Sequence, residues 1–482
     1  MTFVSELEPK ALWTHFDTIL TIPRGSKNEQ EIIEFVLSVA DRYNLKSRQD
    51  ITGNIVVRKP ATVGGESRPP IILQSHLDMV NESNSDTSHD FLKDPLIPCL
   101  DGAYLKATGT TLGSDNGIGV SASLTLMGET TFTHGPLEFL FTVDEETGLT
   151  GAAGLSNDFL RGRRLINLDT EERGAIYVGC AGGSGMDIKL PIEIGKKKTA
   201  STILKVSLSG LQGGHSGVDI HLQRGNAIKL LTRALKSIDE NTFLLGSIEG
   251  GNMHNAIPRE AHATLALNPD SVNKTQNKLD KTFHQISKEF QPADPSITWS
   301  MTTKVLADLF WTKSTTKQIL DLIQAIPDGV SSMSYDIPNL VETSSNLAKV
   351  RREKDNLVMH VSTRSSSPSA LDALQGRIRS ICDLAGASSR QAEGYPGWKP
   401  DLTSKLLQIA RGVFEKKMGA PPEVKAIHAG LECGLIGEKY DTMDMISIGP
   451  QIECPHSPDE RVHIASVEEF FSILQEILAE AK

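Results

Sequence analysis

Histidine and carboxylate residues recur at the ends of short apolar runs in this sequence. His76 and Asp78 follow the run Ile71-Ile72-Leu73 and are separated by one residue. In an extended chain alternate side chains point to the same side, so both can face one cavity. A carboxylate there can fix which imidazole nitrogen meets a metal ion. Taken alone, a His-x-Asp pair is more often an ordinary surface or core histidine than a ligand.

A glycine-rich segment, Gly109 to Gly119 (GTTLGSDNGIG), leads into an apolar helical stretch and contains Asp115. The segment lacks the lysine and the spacing of a phosphate-binding loop. Two interpretations of Asp115 stay open, a metal ligand and a cap at the start of the helix. Capping is the commoner role for a lone aspartate at such a position.

Three acidic residues, Asp144, Glu145 and Glu146, stand side by side after the apolar run Leu137 to Val143. Adjacent carboxylates repel each other unless a cation or a proton relieves them. This crowding suits a metal ligand next to a general base. An acidic surface turn would have the same sequence and is an equally good interpretation of this segment alone.

Two further candidates complete the set. Asp169 follows the run Leu165 to Leu168, and His456 lies beyond the run Met445 to Ile448. Two histidines among carboxylates suit zinc, manganese or cobalt and do not resemble a calcium site. Two such ions held close together need a bridging carboxylate and can activate one shared water. The joint pattern is far more specific than any of its parts.

The elements that must position these residues alternate between helix and strand patterns. Residues Glu29 to Leu45 place apolar side chains at helical spacing, and Gly53 to Arg58 has the pattern of a strand. The apolar runs that precede the candidates have the length of strands, and ligands collect at the carboxyl ends of strands in open α/β sheets. The last helix is predicted to begin at Ser466, with Glu469 completing a capping box.

A chain of 482 residues exceeds what one hydrophobic core usually supports, which predicts two domains. Between residues 184 and 393, strand patterns alternate with amphipathic helices such as NAIKLLTRALKSI, which is typical of an α+β layer with a largely antiparallel sheet. We therefore predict an α/β catalytic domain with a central mixed sheet, formed by residues 1–183 and 394–482. Residues 184–393 form an inserted second domain.

Charge and composition narrow the class of protein. With 60 acidic and 49 basic residues the net charge is −11, which disfavours nucleic-acid and anionic-membrane partners. The five cysteines are scattered without a CxxC pair, so neither a disulfide framework nor a thiolate zinc site is predicted. No secretory signal pattern and no run of about 18 apolar residues occurs. A cytoplasmic enzyme is the expectation.

Ten short segments of the chain occur in the order and with the spacing of one known family. They closely resemble the aminoacyl-histidine (Xaa-His) dipeptidases, a branch of the M20 metallopeptidases, from the first helix to the last. The segments are QSHLDMV, TTLGSDNGIG, VDEETG, INLDTEE, GCAGG, LQGGHSG, GGNMHNAIPRE, GYPGW, HAGLECG and PHSPDE.

The resemblance implies hydrolysis of unsubstituted dipeptides with histidine at the C-terminal position, β-alanyl-histidine among them. It also implies two Zn²⁺ ions per chain, with Mn²⁺ or Co²⁺ as substitutes. His76 and Asp169 match the ligands of one ion, Glu146 and His456 match those of the other, and Asp115 matches the bridging carboxylate.

Further roles follow from the same resemblance. Glu145 matches the general base of the family, and Asp78 matches the carboxylate that orients His76. The inserted domain resembles the family's lid, which also supplies a dimerisation surface, so a homodimer is expected. His215, in LQGGHSG, matches a lid histidine that approaches the partner's active site and can stabilise the tetrahedral oxyanion. The alternative for His215 is a loop histidine bonded to nearby backbone.

Three residues are candidates for substrate contacts. Asn255 and Arg364 match lid positions associated with the substrate's carbonyl and carboxylate groups. A guanidinium can grip a carboxylate with two hydrogen bonds, but a surface salt bridge stays open for Arg364. Glu432, in HAGLECG, is expected to border the pocket and to hold the substrate's free amino group, with a structural carboxylate as an equal alternative.

Other functions would use the same residues. An M20 aminoacylase, carboxypeptidase or tripeptidase would apply the same metal centre to another amide. A scaffold protein that only retains metal is the non-enzymatic alternative, and the presence of every ligand and of Glu145 disfavours it.

Overall fold

The computed structural model describes residues 2–195, 202–304 and 310–482, and these form two compact units. The first unit comprises the chain up to Gly179 together with Trp398–Ala426 and Leu431–Lys482. The second comprises Cys180–Gly397 and Ile427–Gly430. Within the described ranges, no helix combines the length and the apolar character needed to cross a membrane.

Helices and strands are numbered in chain order. Those of the first unit are α1 (Lys10–Ile19), α2 (Gln30–Arg42), β1 (Lys46–Gln49), β2 (Ile55–Lys59), β3 (Ile71–His76), β4 (Pro98–Asp101), β5 (Tyr104–Ala107), α3 (Ser114–Gly128), β6 (Leu137–Thr142), α4 (Thr150–Gly154), β7 (Arg164–Asn167), β8 (Ala175–Cys180), and, after the second unit, α9 (Lys405–Met418), β20 (Glu423–Ile427), α10 (Glu432–Lys439), β21 (Asp444–Ser447), β22 (Ile452–Glu453), β23 (Arg461–His463) and α11 (Ile464–Glu480).

An eight-stranded mixed sheet in the order β1-β2-β6-β3-β7-β21-β8-β20 forms the centre of the first unit. Strands β6, β3, β7 and β21 run parallel to one another, whereas β1 and β2 are antiparallel to their neighbours. Every residue of β3 and β6 is buried, as expected for parallel strands covered on both faces. The predicted α/β class with a mixed central sheet is confirmed.

The parallel strands determine where polar side chains emerge. His76 is the last residue of β3, Glu145 and Glu146 follow β6, and Asp169 follows β7. Because parallel strands end at the same edge of a sheet, these side chains share one edge.

A smaller sheet in the order β22-β23-β5-β4 carries the loop that contains His456. Arg461, at the start of β23, donates to the Glu453 carboxylate from Nε at 2.9 Å and from Nη2 at 2.7 Å. Its guanidinium also lies 4.3 Å from the centroid of the Tyr104 ring. These contacts fix both ends of the loop, because Glu453 precedes it and Arg461 follows it.

The second unit contains one large antiparallel sheet with helices packed against it. Its elements are β9 (Gly182–Pro191), β10 (Thr202–Ser209), β11 (Gly214–His215), α5 (Ala227–Leu235), β12 (Phe243–Gly250), β13 (Ala256–Ile257), β14 (Ala261–Leu267), α6 (Val272–Phe290), β15 (Thr298–Lys304), α7 (Lys313–Ala325), β16 (Gly329–Met333), β17 (Val341–Glu353), β18 (Asn356–Ser365), α8 (Pro368–Leu384) and β19 (Ser388–Tyr395).

Strand order in that sheet is β15-β10-β14-β12-β17-β18-β9-β19, with β16 paired to β17. Strands β11 and β13 form a separate two-stranded ladder. Helix α5 buries Ile228, Leu231 and Leu235 in the core of this unit, and the Asn226 side chain caps it by accepting from the Ile228 N–H at 3.0 Å. The sheet and its helices give the α+β character that the sequence predicted.

One helix boundary differs from the prediction. Helix α11 begins at Ile464, two residues before Ser466, and His463 caps it by accepting from the Ser466 N–H at 3.2 Å. Glu469 pairs instead with Arg173 at 2.5 Å. The predicted capping box was therefore wrong, because an imidazole nitrogen supplies the acceptor that a serine oxygen was expected to provide.

Candidate metal centre

Asp115 lies between two histidines in the first unit. Its Oδ1 atom is 2.9 Å from Nε2 of His76, and its Oδ2 atom is 3.2 Å from Nε2 of His456. One carboxylate thus faces two imidazoles, one through each oxygen. This is the arrangement required of a carboxylate that bridges two ions.

Each imidazole has a second carboxylate of its own. Nε2 of His76 lies 3.3 Å from Oδ1 of Asp169, and Nε2 of His456 lies 3.0 Å from Oε2 of Glu146. The ligand atoms therefore fall into two groups that share Asp115, each with its atoms within 4.8 Å of one another. The structure brings together all five residues that the sequence predicted as ligands.

The donor set fits a divalent cation. Hydrogen bonds that the His456 ring donates to the Asp115 and Glu146 carboxylates raise the pKa of His456 to about 11. Burial lowers the pKa of His76, but the charges of Asp169 and its neighbours outweigh this and raise it well above its usual value. Carboxylates that hold protons so firmly on imidazoles attract any cation placed there. In addition, Oε1 of Glu146 is buried without a hydrogen-bond partner in the described part of the chain.

The two histidines differ in their access to solvent. The His76 side chain is 1% exposed, whereas the His456 side chain is 51% exposed. The His76 imidazole is therefore enclosed by protein, whereas the His456 imidazole borders solvent.

The backbone around Asp115 explains why it does not cap helix α3. Gly113 takes the capping position in a left-handed conformation with φ 68°, and Asp115 itself is non-helical with ψ 112°. Asn116, the next residue, donates from Nδ2 to the Leu168 carbonyl at 2.8 Å and also to the Asp169 carboxylate. The capping alternative for Asp115 is not observed, and its neighbour orients a second candidate ligand.

Asp78 is buried and contacts more than His76. Its carboxylate lies 3.4 Å from Nδ1 of His76, while the backbone carbonyl of Asp78 lies at 3.2 Å from the same nitrogen. The carboxylate also accepts from the Glu145 N–H at 3.0 Å and the Glu146 N–H at 3.2 Å. Burial opposes ionisation, but the contacts with His76 and these donors lower the pKa of Asp78 to about 2. Asp78 thus fixes the backbone of the Glu145–Glu146 segment as well as the imidazole.

Glu145 is partly buried beside the ligand groups, and its carboxylate joins His76 and Glu146 in a third cluster. Burial, with the negative charges of Asp169 and Glu432, raises the pKa of Glu145 well above its usual value. A carboxylate with a raised pKa is a stronger base than an ordinary glutamate, which suits it to taking up a proton.

Glu432 is buried at the start of α10. Its Oε2 atom accepts from Nε2 of Gln74 at 2.5 Å and from Oγ1 of Thr142 at 2.7 Å. Oε1 is buried without a partner among the described residues, and burial raises the pKa of Glu432 to about 7. Gln74 also accepts from Asn167 at 2.6 Å, so a chain of polar contacts runs across β6, β3 and β7. The contact with a substrate amino group stays a prediction.

His215 lies in the second unit, on β11. Its Nδ1 atom accepts from the backbone N–H groups of Gly217 at 3.3 Å and Val218 at 3.0 Å. Nε2 therefore carries the proton of the neutral ring and is the nitrogen able to donate. Burial and the charge of Arg364 lower the pKa of His215, which favours that neutral form. Asn255 directly precedes β13, and its carbonyl accepts from the Ser216 N–H at 2.8 Å.

Arg364 lies near the end of β18 in the second unit and is only 8% exposed. Nη1 donates to the Tyr395 hydroxyl at 2.7 Å, and Nε is buried without a partner among the described residues. No carboxylate of the described chain lies within 4 Å of the guanidinium, so a surface salt bridge is not observed. A buried cation without a counter-ion is suited to binding an anionic group.

Two buried charged residues near the centre escaped the sequence analysis. Arg24 donates to the backbone carbonyls of Leu77 and Asp78, and Glu460 accepts from backbone N–H groups before and within the first turn of α3. Glu460 does fall within the motif PHSPDE, four residues after His456. Because both residues contact backbone atoms, no pattern of side chains marks them.

Residues 72–480 match the model of Peptidase family M20/M25/M40, and the chain belongs to this family. It is 40% identical to the cytosol non-specific dipeptidase of Escherichia coli (strain K12), over 100% of this chain and 99% of the relative. It is also similar to the crystal structure of aminoacylhistidine dipeptidase from Vibrio alginolyticus, with a TM-score of 0.94, 38% identity and coverage of 100% of this chain and 98% of that one. Aminopeptidase PepT from Bacillus cereus shares the fold at 15% identity and a TM-score of 0.57, over 98% of this chain and 99% of that one. The resemblance recognised in the motifs is confirmed.

Because Asp115 belongs to both ligand groups, its substitution tests whether the centre binds metal. We expect Asp115→Asn to retain little divalent metal after dialysis against metal-free buffer, because an amide brings no negative charge to either ligand group. Metal analysis of the dialysed protein measures this. Asp459→Asn is the matched control, since Asp459 lies in the same loop as His456 and its side chain is 85% exposed. Equal metal content in both variants would contradict the assignment.

Proposed function

We propose that the protein is a dipeptidase that uses two zinc ions, with manganese or cobalt as substitutes, to hydrolyse unsubstituted dipeptides. Histidine is the preferred C-terminal residue, and β-alanyl-histidine is among the substrates. The observation that carries the proposal is the pair of ligand groups joined by Asp115. The names of the two similar dipeptidases support a dipeptide substrate, although one is called non-specific and the other aminoacylhistidine dipeptidase.

The ligands divide between the two ions. His76 and Asp169 would hold one ion, Glu146 and His456 would hold the other, and Asp115 would serve both. When bound, such ions polarise the carbonyl of the scissile bond and make water a better nucleophile near neutral pH. Oxygen and nitrogen donors in this combination suit zinc, manganese or cobalt.

Glu145 acts as the general base. Its carboxylate accepts a proton from the attacking water and later gives it to the leaving amine, a task for which its raised pKa is suited. Asp78 supports this step in two ways. Its carboxylate accepts from the Glu145 backbone N–H at 3.0 Å, and it keeps the His76 ring in one orientation. Catalysis by a base in such a position typically contributes about 10²- to 10⁴-fold.

Residues of the second unit recognise the substrate. Arg364 binds the C-terminal carboxylate through the donors that lack a counter-ion, Asn255 contacts the carbonyl, and Glu432 of the first unit holds the free amino group. The second unit acts as a lid and supplies the surface of a homodimer, in which His215 donates from Nε2 to the oxyanion in the neighbouring chain. A cytoplasmic location accords with the similar protein named a cytosol dipeptidase.

Removal of the base should separate metal binding from chemistry. We expect Glu145→Ala and Glu145→Gln to bind as much zinc as the parent protein and to lose about 10²- to 10⁴-fold in kcat, because neither side chain takes up the proton. Steady-state kinetics and metal analysis on the same samples measure the two effects.

Glu469→Gln is the control for the change of charge, since Glu469 lies in the same unit and forms an exposed pair with Arg173. Turnover of Glu145→Gln at the level of this control would remove Glu145 from its assigned role. Loss of zinc along with activity would make Glu145 a ligand instead of a base.

The role of Arg364 can be tested with substrates that lack its proposed partner. We expect Arg364→Met to lower kcat/KM for a dipeptide by about 10- to 100-fold, the value of hydrogen bonds to a charged group. The dipeptide's C-terminal amide should be hydrolysed slowly by the parent and no worse by the variant. Arg233→Met, which removes an exposed arginine paired with Glu289, is the control. An unchanged preference for the free carboxylate would contradict the assignment.

A substrate panel separates this function from the related ones. We expect faster hydrolysis of Xaa-His dipeptides than of other dipeptides, and little hydrolysis of N-acylated amino acids or tripeptides, because binding uses both a free amino group and a nearby carboxylate. Preference for N-acylated substrates would favour an aminoacylase or a carboxypeptidase, and preference for tripeptides a tripeptidase. Chelator-insensitive or absent hydrolysis of the whole panel would overturn the proposal.

A further inference from the structure

The peptide group of Gly113 lies between two buried, oppositely charged side chains. Its N–H donates to Oε2 of Glu460 at 2.9 Å, and its carbonyl oxygen accepts from Nη2 of Arg24. Arg24 and Glu460 are each 2% exposed. Burial of a charged group is costly unless hydrogen bonds replace its water, so contacts of this kind are strongly determined by the fold.

Glu460 holds the whole segment that leads to Asp115. Its Oε2 atom also accepts from the Leu112 N–H at 2.8 Å. Its Oε1 atom accepts from the N–H of Ser114 at 2.7 Å, from Oγ of Ser114 at 2.6 Å and from the Asp115 N–H at 3.3 Å. Five donors around one carboxylate leave the backbone before Asp115 little freedom to move.

Arg24 ties the same segment to the end of β3. Its Nη1 atom donates to the carbonyls of Leu77 at 2.9 Å and Asp78 at 2.8 Å, directly after His76. A Cβ atom at Gly113 would lie 2.5 Å from Nη2 of Arg24, and the φ of 68° is also unfavourable for other residues. Glycine is therefore required for the guanidinium to reach this carbonyl.

We propose that Arg24 and Glu460 are positioning residues that act as one clamp and set the separations among His76, Asp115 and His456. Arg24 joins the loop after β3 to the Gly113 peptide. Glu460 joins that peptide to the loop between β22 and β23, which also carries His456. The clamp thus links three loops that are distant in the sequence. The inference rests on the proposed metal centre and adds two residues that contact no ion.

The clamp acts through Asp115, so its effect should fall on both ions at once. Asp115 faces both histidines, and displacement of its backbone changes both contacts together. Loss of one ligand such as His456 would instead lower the affinity mainly for the ion that this ligand holds. Loss of a residue that hydrogen-bonds to a metal ligand typically lowers metal affinity by about 10- to 100-fold.

The test is cobalt(II) binding to the metal-free, folded protein, followed by the visible absorption of the ion and by competition with a chelator. We expect Glu460→Gln and Arg24→Lys to lower the affinity for both cobalt ions by about 10- to 100-fold and to alter the cobalt spectrum. Glutamine places an amide donor against backbone N–H donors, and one lysine ammonium cannot span both loops. Glu469→Gln, an exposed change of the same chemistry, should bind as the parent does.

Stability is measured separately, by denaturant unfolding of the metal-free variants. If Arg24 and Glu460 only stabilise the fold, unfolding will occur at lower denaturant while the affinity of the folded protein stays at the parent value, and that result overturns the clamp. If Glu460→Gln and Arg24→Lys do not fold, Ser114→Ala decides the question, because it removes only one contact of Glu460. We expect it to lower the affinity for both cobalt ions by a smaller factor. If the parent itself binds no cobalt, the proposed metal centre fails, and not the clamp alone.

Discussion

Crowding of like charges is the constraint on which this structure depends. Asp115, Glu146 and Asp169 converge on two imidazoles, and Glu145 lies beside them; the side chains of those three ligand carboxylates are each at most 11% exposed. Such a group is unfavourable unless positive charge is present. The pKa values of His76 and His456 are raised because protonated imidazoles supply part of the positive charge that the carboxylates need. The fold thus tolerates repulsion among these carboxylates that a bound cation would reduce. Such electrostatically unfavourable clusters are common at functional sites.

The central sheet makes the crowding possible. Four parallel strands end at one edge. Residues tens of positions apart in the sequence meet there, because each lies at the end of β3, β6 or β7 or directly after it. Strands β3 and β6 are fully buried and contribute packing, while the loops after them contribute chemistry. A second, smaller sheet delivers His456 from near the end of the chain, with Arg461 and Glu453 fixing its loop.

Much of this arrangement could be predicted because it depends on residue type and position along single strands. His76, Glu146 and Asp169 follow apolar runs, and this pattern is visible without coordinates. Contacts to backbone atoms leave no such trace, which is why Arg24 and Glu460 were not identified. The start of α11 was missed for a related reason, since His463 is an uncommon cap. The burial of Arg364 without a carboxylate partner also depends on packing across strands, which the sequence of β18 alone does not reveal.

The unequal exposure of the two histidines has a consequence for exchange with the surroundings. Around His76 the protein is closed, so an ion held there would leave only after its neighbour or after local opening of the loops. Around His456 the imidazole itself borders solvent, although the Glu146 side chain beside it is only 4% exposed. Metal exchange should therefore be slow at the position beside His76 and fast at the position beside His456, even though Asp115 belongs to both.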